Sequence, residues 1–349
     1  MNLMKVCRSY FVMREESSLF RSGNKFGRMV FSWVVCVALV VASFVPQLHA
    51  QSFPSKPIEL ILPSTVGGST DTAVRLMASK WQEFLGQPIV VNNVPGAGGV
   101  IGANQVAKAK PDGYTLMGGF DSLLVALPFV QKAVAYDLDS FTYLNGFGLG
   151  ALYFITRSEL PYKTIADMIN AAKKAPGKLT YASYGVGVIT HFTAERLFDL
   201  NGVKMLYVPY KSSPETVTAL LGGHVDFAVT AGTYGAGKNP ALRILGVAAD
   251  ERRPDYPTVP TLKEQGFPVS LPYISGLLAP KGLPNDVKAT LVGAIQKANA
   301  KYGDLFKDEL LKKADLIFAN IPGDEFYKIW KERQAWFRET APKMNLEKR

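Results

Sequence analysis

The stretch Ile58-Glu-Leu-Ile-Leu-Pro63-Ser-Thr-Val-Gly67-Gly68-Ser-Thr-Asp71-Thr-Ala-Val-Arg-Leu76 constrains the chain most, because its apolar period changes from two to about 3.6 residues across a pair of glycines. Ile58, Leu60 and Leu62 alternate as a strand against a core requires, and Pro63 ends the run. From Asp71 onward, Val74, Met77, Ala78, Trp81 and Leu85 fall on one face of a helix that stops at Gly86. Ser69 or Thr70 is the expected N-cap. A strand, a glycine turn and a helix start make an anion site, since main-chain N–H groups and a helix dipole of about half a charge attract an anion without any cationic side chain. An ordinary strand-to-helix turn satisfies the same pattern.

The unit recurs. Pro88–Val91 reads as a second strand, Pro95–Gly102 as a glycine-rich lead into a helix over 103–109, and Tyr114–Met117 as a third strand. The loop Gly118-Gly-Phe120-Asp121-Ser122 follows at a carboxyl end, the edge where open α/β sheets collect ligands. The apolar stretch 141–156 is a crossing to a second lobe. There Thr164 and Asp167 form a capping box, and Leu179–Ser183 is a strand. Tyr184-Gly185-Val186-Gly187-Val188 is a glycine loop, and Thr190–Leu200 is a helix. A strand at 206–210, a helix starting at Ser213-Pro214 and strands at 225–229 and 242–247 complete that lobe. Tyr273–Ala279 crosses back, and helices near 286–301, 302–313 and 324–340 finish the chain. Alternating strands and helices argue for parallel sheets covered on both faces. The expected fold is an α/β clamshell with lobes at 51–150 plus 275–349 and at 151–274.

Residues 1–50 read as a secretory leader. Lys5, Arg8, Arg14, Arg21, Lys25 and Arg28 precede the apolar run Met29–Val45, and Ala50 is the expected cleavage point, which places the mature protein in the periplasm. The run is shorter than the roughly 20 residues that span a bilayer. The long basic lead also allows translation to start at Met13. Both cysteines, Cys7 and Cys36, lie in the leader, so packing alone must hold the mature fold. The remaining 33 Lys/Arg against 27 Asp/Glu give a net charge near +6, scattered without aromatic interleaving, which suits small anions and not nucleic acid. His191 and His224 are too far apart in sequence to suggest a metal site, and no metal or cofactor is expected.

Gly96-x-Gly98-x-x-x-Gly102 after a strand, with Asp121 about twenty residues on, raises an exported dinucleotide-binding oxidoreductase as an alternative. Export argues against it. Ser183, His191 and Asp226 can be drawn as a hydrolytic triad, but no Gly-x-Ser-x-Gly elbow supports one. His191 either donates to a ligand or caps its own turn, and Asp71 either balances the helix dipole or orients its loop.

Pro63-Ser-Thr-Val-Gly-Gly-x-x-Asp71, Leu85-Gly-Gln-Pro-Ile-Val-Val91, Asn93-Val-Pro-Gly-Ala-Gly-Gly99 and Pro111-Asp-Gly-Tyr-Thr-Leu116 resemble the Bug family of extracytoplasmic solute receptors, the substrate-binding proteins of tripartite tricarboxylate transporters. Gly185-Val-Gly187 with His191, Val208-Pro-Tyr-Lys211, Leu220-Leu-Gly-Gly-His-Val-Asp226 and Pro257-Thr-Val-Pro-Thr261 extend the resemblance over the mature chain. It implies a type II periplasmic-binding-protein fold, not an enzyme, that closes on a small organic carboxylate and delivers it to membrane subunits, as a monomer. A ligand-sensing receptor feeding a signalling partner is the other reading. The implied ligand loops are Ser64, Thr65, Val66, Gly67, Gly68 and Asp71, and Tyr184, Gly185, Gly187, Val188, Thr190 and His191; Asp121 and Ser122 sit at a third edge. This chain has Thr230-Ala-Gly where relatives often carry an acid, and Val66 and Val188 where they have a cyclic and a polar residue. With Phe120, Tyr184, Tyr210 and Tyr273 near the cleft, these departures predict a more apolar wall and disfavour an amino acid as ligand, whose buried ammonium would go unpaired.

Overall fold

The computed structural model describes residues 53–344. The leader, its two cysteines and the expected cleavage point lie outside the described residues. In chain order the first part comprises β1 (Ile58–Leu62), α1 (Ser69–Leu85), β2 (Ile89–Asn93), α2 (Val100–Ala107), β3 (Thr115–Phe120), α3 (Leu127–Val130) and β4 (Phe141–Gly150). The second part runs β5 (Leu152–Arg157), α4 (Ile165–Lys174), β6 (Thr180–Tyr184), α5 (Ile189–Leu200), β7 (Leu206–Tyr210), α6 (Ser213–Leu221), β8 (Phe227–Ala231) and β9 (Leu242–Ala248). The chain returns through β10 (Tyr273–Pro280), α7 (Asn285–Ala314), β11 (Leu316–Pro322) and α8 (Gly323–Thr340).

Two sheets result, one of order β11-β4-β10-β3-β1-β2 and one of order β7-β6-β8-β5-β9. β1 pairs in parallel with β2 and β3, and β6 with β7 and β8, as the alternating pattern predicts. The sheets are nevertheless mixed. β10 enters antiparallel to β3 and β4, β11 antiparallel to β4, and β5 antiparallel to β8 and β9. The strands that carry the chain between sheets arrive from the opposite direction, so the expectation of purely parallel sheets is corrected.

The first passage between sheets is abrupt: β4 ends at Gly150 and β5 begins at Leu152. Gly150 is opposite Tyr273, and a Cβ added there would lie 2.1 Å from Tyr273 Cζ, so the ring fills the space a side chain would take. Behind this passage Arg253 donates from Nη2 to the Asp315 carbonyl at 3.0 Å, while the Asp315 carboxylate accepts the Thr233 N–H at 2.9 Å. Farther out, Phe192 of α5 packs on Phe337 of α8, with ring centroids 4.4 Å apart.

The apolar face of α1 is buried as predicted, and Gly86 caps it in the left-handed conformation (φ 68°). Its N-cap is Gly68, not Ser69 or Thr70, whose side chains bond to the other sheet and to β10 instead. The capping box of Thr164 and Asp167 is present at α4. The helices expected at 286–301 and 302–313 are one, α7, which runs through Gly303 while Lys301 and Tyr302 both bond Glu83 of α1. A glycine costs a helix interior only about 1 kcal/mol, which such packing offsets.

Candidate functional site

The two glycine loops are built alike. Gly67 (φ 85°) and Gly187 (φ 76°) turn the chain, and Gly68 (φ −73°, ψ 161°) and Val188 (φ −70°, ψ 165°) are the N-caps of α1 and α5. Both positive-φ positions favour glycine. In each loop that glycine's N–H is already taken from within: Gly67 donates to Asp71 Oδ2 at 3.0 Å, and Gly187 to His191 Nδ1 at 3.0 Å. Asp71 also accepts from Asn93 Nδ2 at 2.9 Å and Arg75 Nε at 3.0 Å, and the His191 ring stacks on Tyr207 with centroids 4.0 Å apart. These side chains brace the loops from behind.

Between the two sheets lies a cavity of about 530 Å³. Of the residues singled out in the sequence, Ser64, Thr65, Gly68, Asp121, Ser122, Tyr184, Gly185, Tyr210 and Tyr273 line it, together with Phe120. Val66, Gly67, Asp71, Gly187, Val188, Thr190, His191 and Thr230 do not. Val66 is 69 % exposed and points away. Val188 is fully buried beside the 96–99 turn, where a Cβ on Gly98 would come within 3.2 Å of its Cγ1. Thr230 spends its hydroxyl on the Gly232 carbonyl at 2.6 Å. Gly118, Gly119 and Phe120 belong to β3, and Asp121 and Ser122 open a helical turn over Ser122–Ala126, so the expected third loop is a strand running straight into a helical segment.

Asp121 is 1 % exposed and committed to structure: it accepts the Ile274 N–H at 2.9 Å, Trp330 Nε1–H at 2.6 Å, and a bond from Arg333. Burial raises its pKa and the Arg333 guanidinium works against that shift. The dinucleotide reading needs this carboxylate free for a ribose, and it is not. The triad reading fares no better, since Ser183 Oγ meets the Tyr207 hydroxyl at 3.0 Å and Asp226 Oδ2 accepts from Thr180 N and Oγ1, each at 2.8 Å.

The amino ends of α1, α5 and α6 all reach the cavity, through Gly68 to Thr70, Ile189, and Ser212 with Ser213. Around the first and third of these, hydroxyls converge. Ser69 N–H donates to Tyr234 Oη at 3.3 Å, Ser69 Oγ to the Ala231 carbonyl at 3.0 Å, and Tyr234 Oη to that same carbonyl at 2.9 Å. Ser213 Oγ accepts the Ala231 N–H at 3.4 Å. At α5, Ser122 Oγ accepts the Ile189 N–H at 2.9 Å, and Gln131 Nε2 donates to the Val186 carbonyl at 3.3 Å. All but the Ser213 and Tyr234–Ala231 bonds join one sheet to the other. Ser64 Oγ and Tyr273 Oη are buried with no hydrogen-bond partner among the described residues. Burial holds the Tyr184, Tyr234 and Tyr273 hydroxyls above their ordinary pKa, so all three stay protonated donors. Neutral donors and three helix ends make a cavity suited to an oxyanion. Among the described residues no group of three or more His, Cys, Asp or Glu is placed to hold a metal ion, and no helix is long and apolar enough to cross a membrane.

Residues 73–332 match the family model described as the tripartite tricarboxylate transporter family receptor. The chain belongs to that receptor family. Among similar relatives is a protein of Cupriavidus necator described as the UPF0065 protein in the gbd 5′ region, 38 % identical over 268 residues, which span 75 % of this chain and 80 % of the relative. Among solved structures, the periplasmic binding protein BugD superposes with a TM-score of 0.78 at 28 % identity, covering 85 % of this chain and all of BugD. MatC from Rhodopseudomonas palustris, with bound malate, gives a TM-score of 0.75 at 27 % identity, covering 82 % and 99 %. The receptor fold is thus a type II periplasmic-binding-protein fold of two α/β lobes. Family receptors bind solutes and are not enzymes.

Sequence reasoning missed several residues that this receptor brings to the cavity: Ser69, Thr70, Gln131, Ile189, Lys211, Ser212, Ser213 and Tyr234. One signal was available. Ser213-Pro214 opens a helix shortly after a strand, the same arrangement as at Gly67-Gly68. Tyr234 had no such signal, lying in a turn at φ 48°, a conformation rare outside glycine.

Proposed function

We propose that this receptor captures a small organic carboxylate between its lobes in the periplasm and delivers it to the membrane subunits of a tripartite tricarboxylate-type transporter. The observation that carries the reading is the convergence of the α1 and α6 amino ends on the Ser69, Ser213, Tyr234 and Tyr273 hydroxyls. A carboxylate there is met by dipoles and neutral donors without a metal. MatC, solved with malate, supports the same ligand class for this chain. The aromatic rings of Phe120, Tyr184, Tyr210 and Tyr273 on the wall favour an aliphatic or aromatic body, and the buried commitments of Asp121 leave no carboxylate for a ligand ammonium.

The lobes divide at 150/151 and near 274, the ligand is released unchanged, and the working protein is a monomer beginning at Gln51. A thermal-shift screen of mono-, di- and tricarboxylates tests the reading: a ligand at 100 times its Kd adds about 2.7 kcal/mol of stability. A screen in which no carboxylate raises Tm, or in which a bound one is chemically converted, rejects it. N-terminal sequencing of the exported protein checks the start at Gln51.

A further inference from the structure

Lys211 is the only Lys or Arg on the cavity wall among the described residues. No carboxylate among them lies within ion-pairing distance of its ammonium. The nearest acid along the chain, Glu215, is occupied at the amino end of α6, where Oε2 accepts the main-chain N–H of Lys211 at 3.1 Å. The one acid on the wall, Asp121, is paired with Arg333. A positive charge therefore borders the cavity with nothing of the protein's own to balance it.

Its place follows from the burial of its neighbours. Lys211 is exposed, whereas Ser212 and Ser213 are 8 % and 5 % exposed. The chain thus enters the molecule here, with Lys211 at the mouth and Ser213 inside, beside Ala231, Ser69 and Tyr234. The inner end is ready for one oxyanion, with Tyr273 Oη, on a residue only 4 % exposed, unpartnered there. Tyr210, which immediately precedes Lys211 in the chain, and Phe120 add apolar surface to the wall.

We propose that Lys211 is a specificity-determining residue that pairs with a second carboxylate at the mouth, so that the receptor selects dicarboxylates with an apolar middle over monocarboxylates of the same length. The proposal rests on the carboxylate reading above and narrows it. A lysine ammonium suits this task, because it is a point charge on a flexible stem that tolerates ligands of different length, unlike the fixed fork of an arginine. Because the pair is partly exposed, its contribution is modest, about fivefold in affinity, and it weakens with salt.

Calorimetry with adipate and hexanoate, six-carbon acids that differ in the second carboxylate, tests this. The wild type is expected to bind adipate about fivefold more tightly than hexanoate. Lys211→Met, which keeps an apolar stem at an exposed position, should lose that preference by weakening adipate alone, and Lys211→Arg should retain most of it. If the wild type binds both acids but Lys211→Met leaves the adipate preference unchanged, or the wild type shows none, the assignment of Lys211 is overturned and the carboxylate site stands. If no carboxylate binds the wild type in the screen described above, the parent reading and this one fall together.

Discussion

Asp71 and His191 occupy the same place in two copies of one loop, each four residues beyond a left-handed glycine whose N–H it accepts, at 3.0 Å in both cases. One uses a carboxylate oxygen and the other an imidazole nitrogen, so the geometry is repeated while the chemistry is not. His191 Nδ1 must be unprotonated to accept that N–H. Both residues therefore hold their loops from behind and stay off the cavity wall.

Asp71→Ala should leave Gly67 N–H without its acceptor and Asn93 Nδ2 with only the Ser64 carbonyl, and is expected to cost about 1–3 kcal/mol in urea unfolding. Ligand affinity should fall with it, because the Ser64–Gly68 loop loses its brace. Unchanged stability and affinity would show that the brace is dispensable.

His191→Ala is expected to weaken ligand affinity, read by calorimetry, through a loosened Gly185–Val188 loop, while the bound ligand is recovered unaltered. Conversion of ligand by the wild type but not by this variant would make His191 catalytic and contradict the receptor assignment.

Glu195 gives a pH test. Burial raises its pKa above the ordinary 4.5, and its hydrogen bond from the Tyr181 hydroxyl offsets this only in part. The folded protein keeps this proton to a higher pH than the unfolded chain does. The contribution to stability is therefore fully present below about pH 4.5 and is lost as pH rises through the folded pKa. Glu195→Gln should then gain stability over the wild type at pH 7, with the gain vanishing near pH 4. Thermal unfolding across that range measures it, and a gain independent of pH would contradict the argument.

Gly150→Ala forces a Cβ into the Tyr273 ring at the passage between the sheets. Overpacking of this kind costs about 1–3 kcal/mol, which lowers Tm by several degrees in a protein of this size. A variant with wild-type Tm and wild-type affinity would mean that the ring moves aside freely.

The periodic elements of this fold were legible from local pattern, since Val74, Met77, Ala78, Trp81 and Leu85 repeat at helical spacing and are all buried. What a local pattern does not carry is where the other lobe will be. Ser69 looked like a cap because serine usually caps, yet its hydroxyl reaches the Ala231 carbonyl across the cleft. Likewise, β10 reads as any buried strand, and only its long-range origin makes it antiparallel. At the site, the glycine loops were found from their residue types, but side-chain direction was not. Asp71 and His191 turn inward and Val66 outward, while Tyr234 and Lys211 arrive from segments whose position depends on the whole second sheet.

The hydrogen-bond triangle of Ser69, Ala231 and Tyr234 keeps its charge state over a wide range of pH. The triangle is held by hydroxyl protons that Ser69 and Tyr234 both give to the Ala231 carbonyl, and burial pushes Tyr234 above its ordinary value of 10.0. No group in that triangle gains or loses a proton between about pH 5 and 9, so the seat keeps its polarity while the surroundings acidify or turn alkaline. Acidification therefore leaves this triangle as it is and reaches the protein side of the cleft elsewhere, at His191, whose Nδ1 must stay unprotonated to accept the Gly187 N–H.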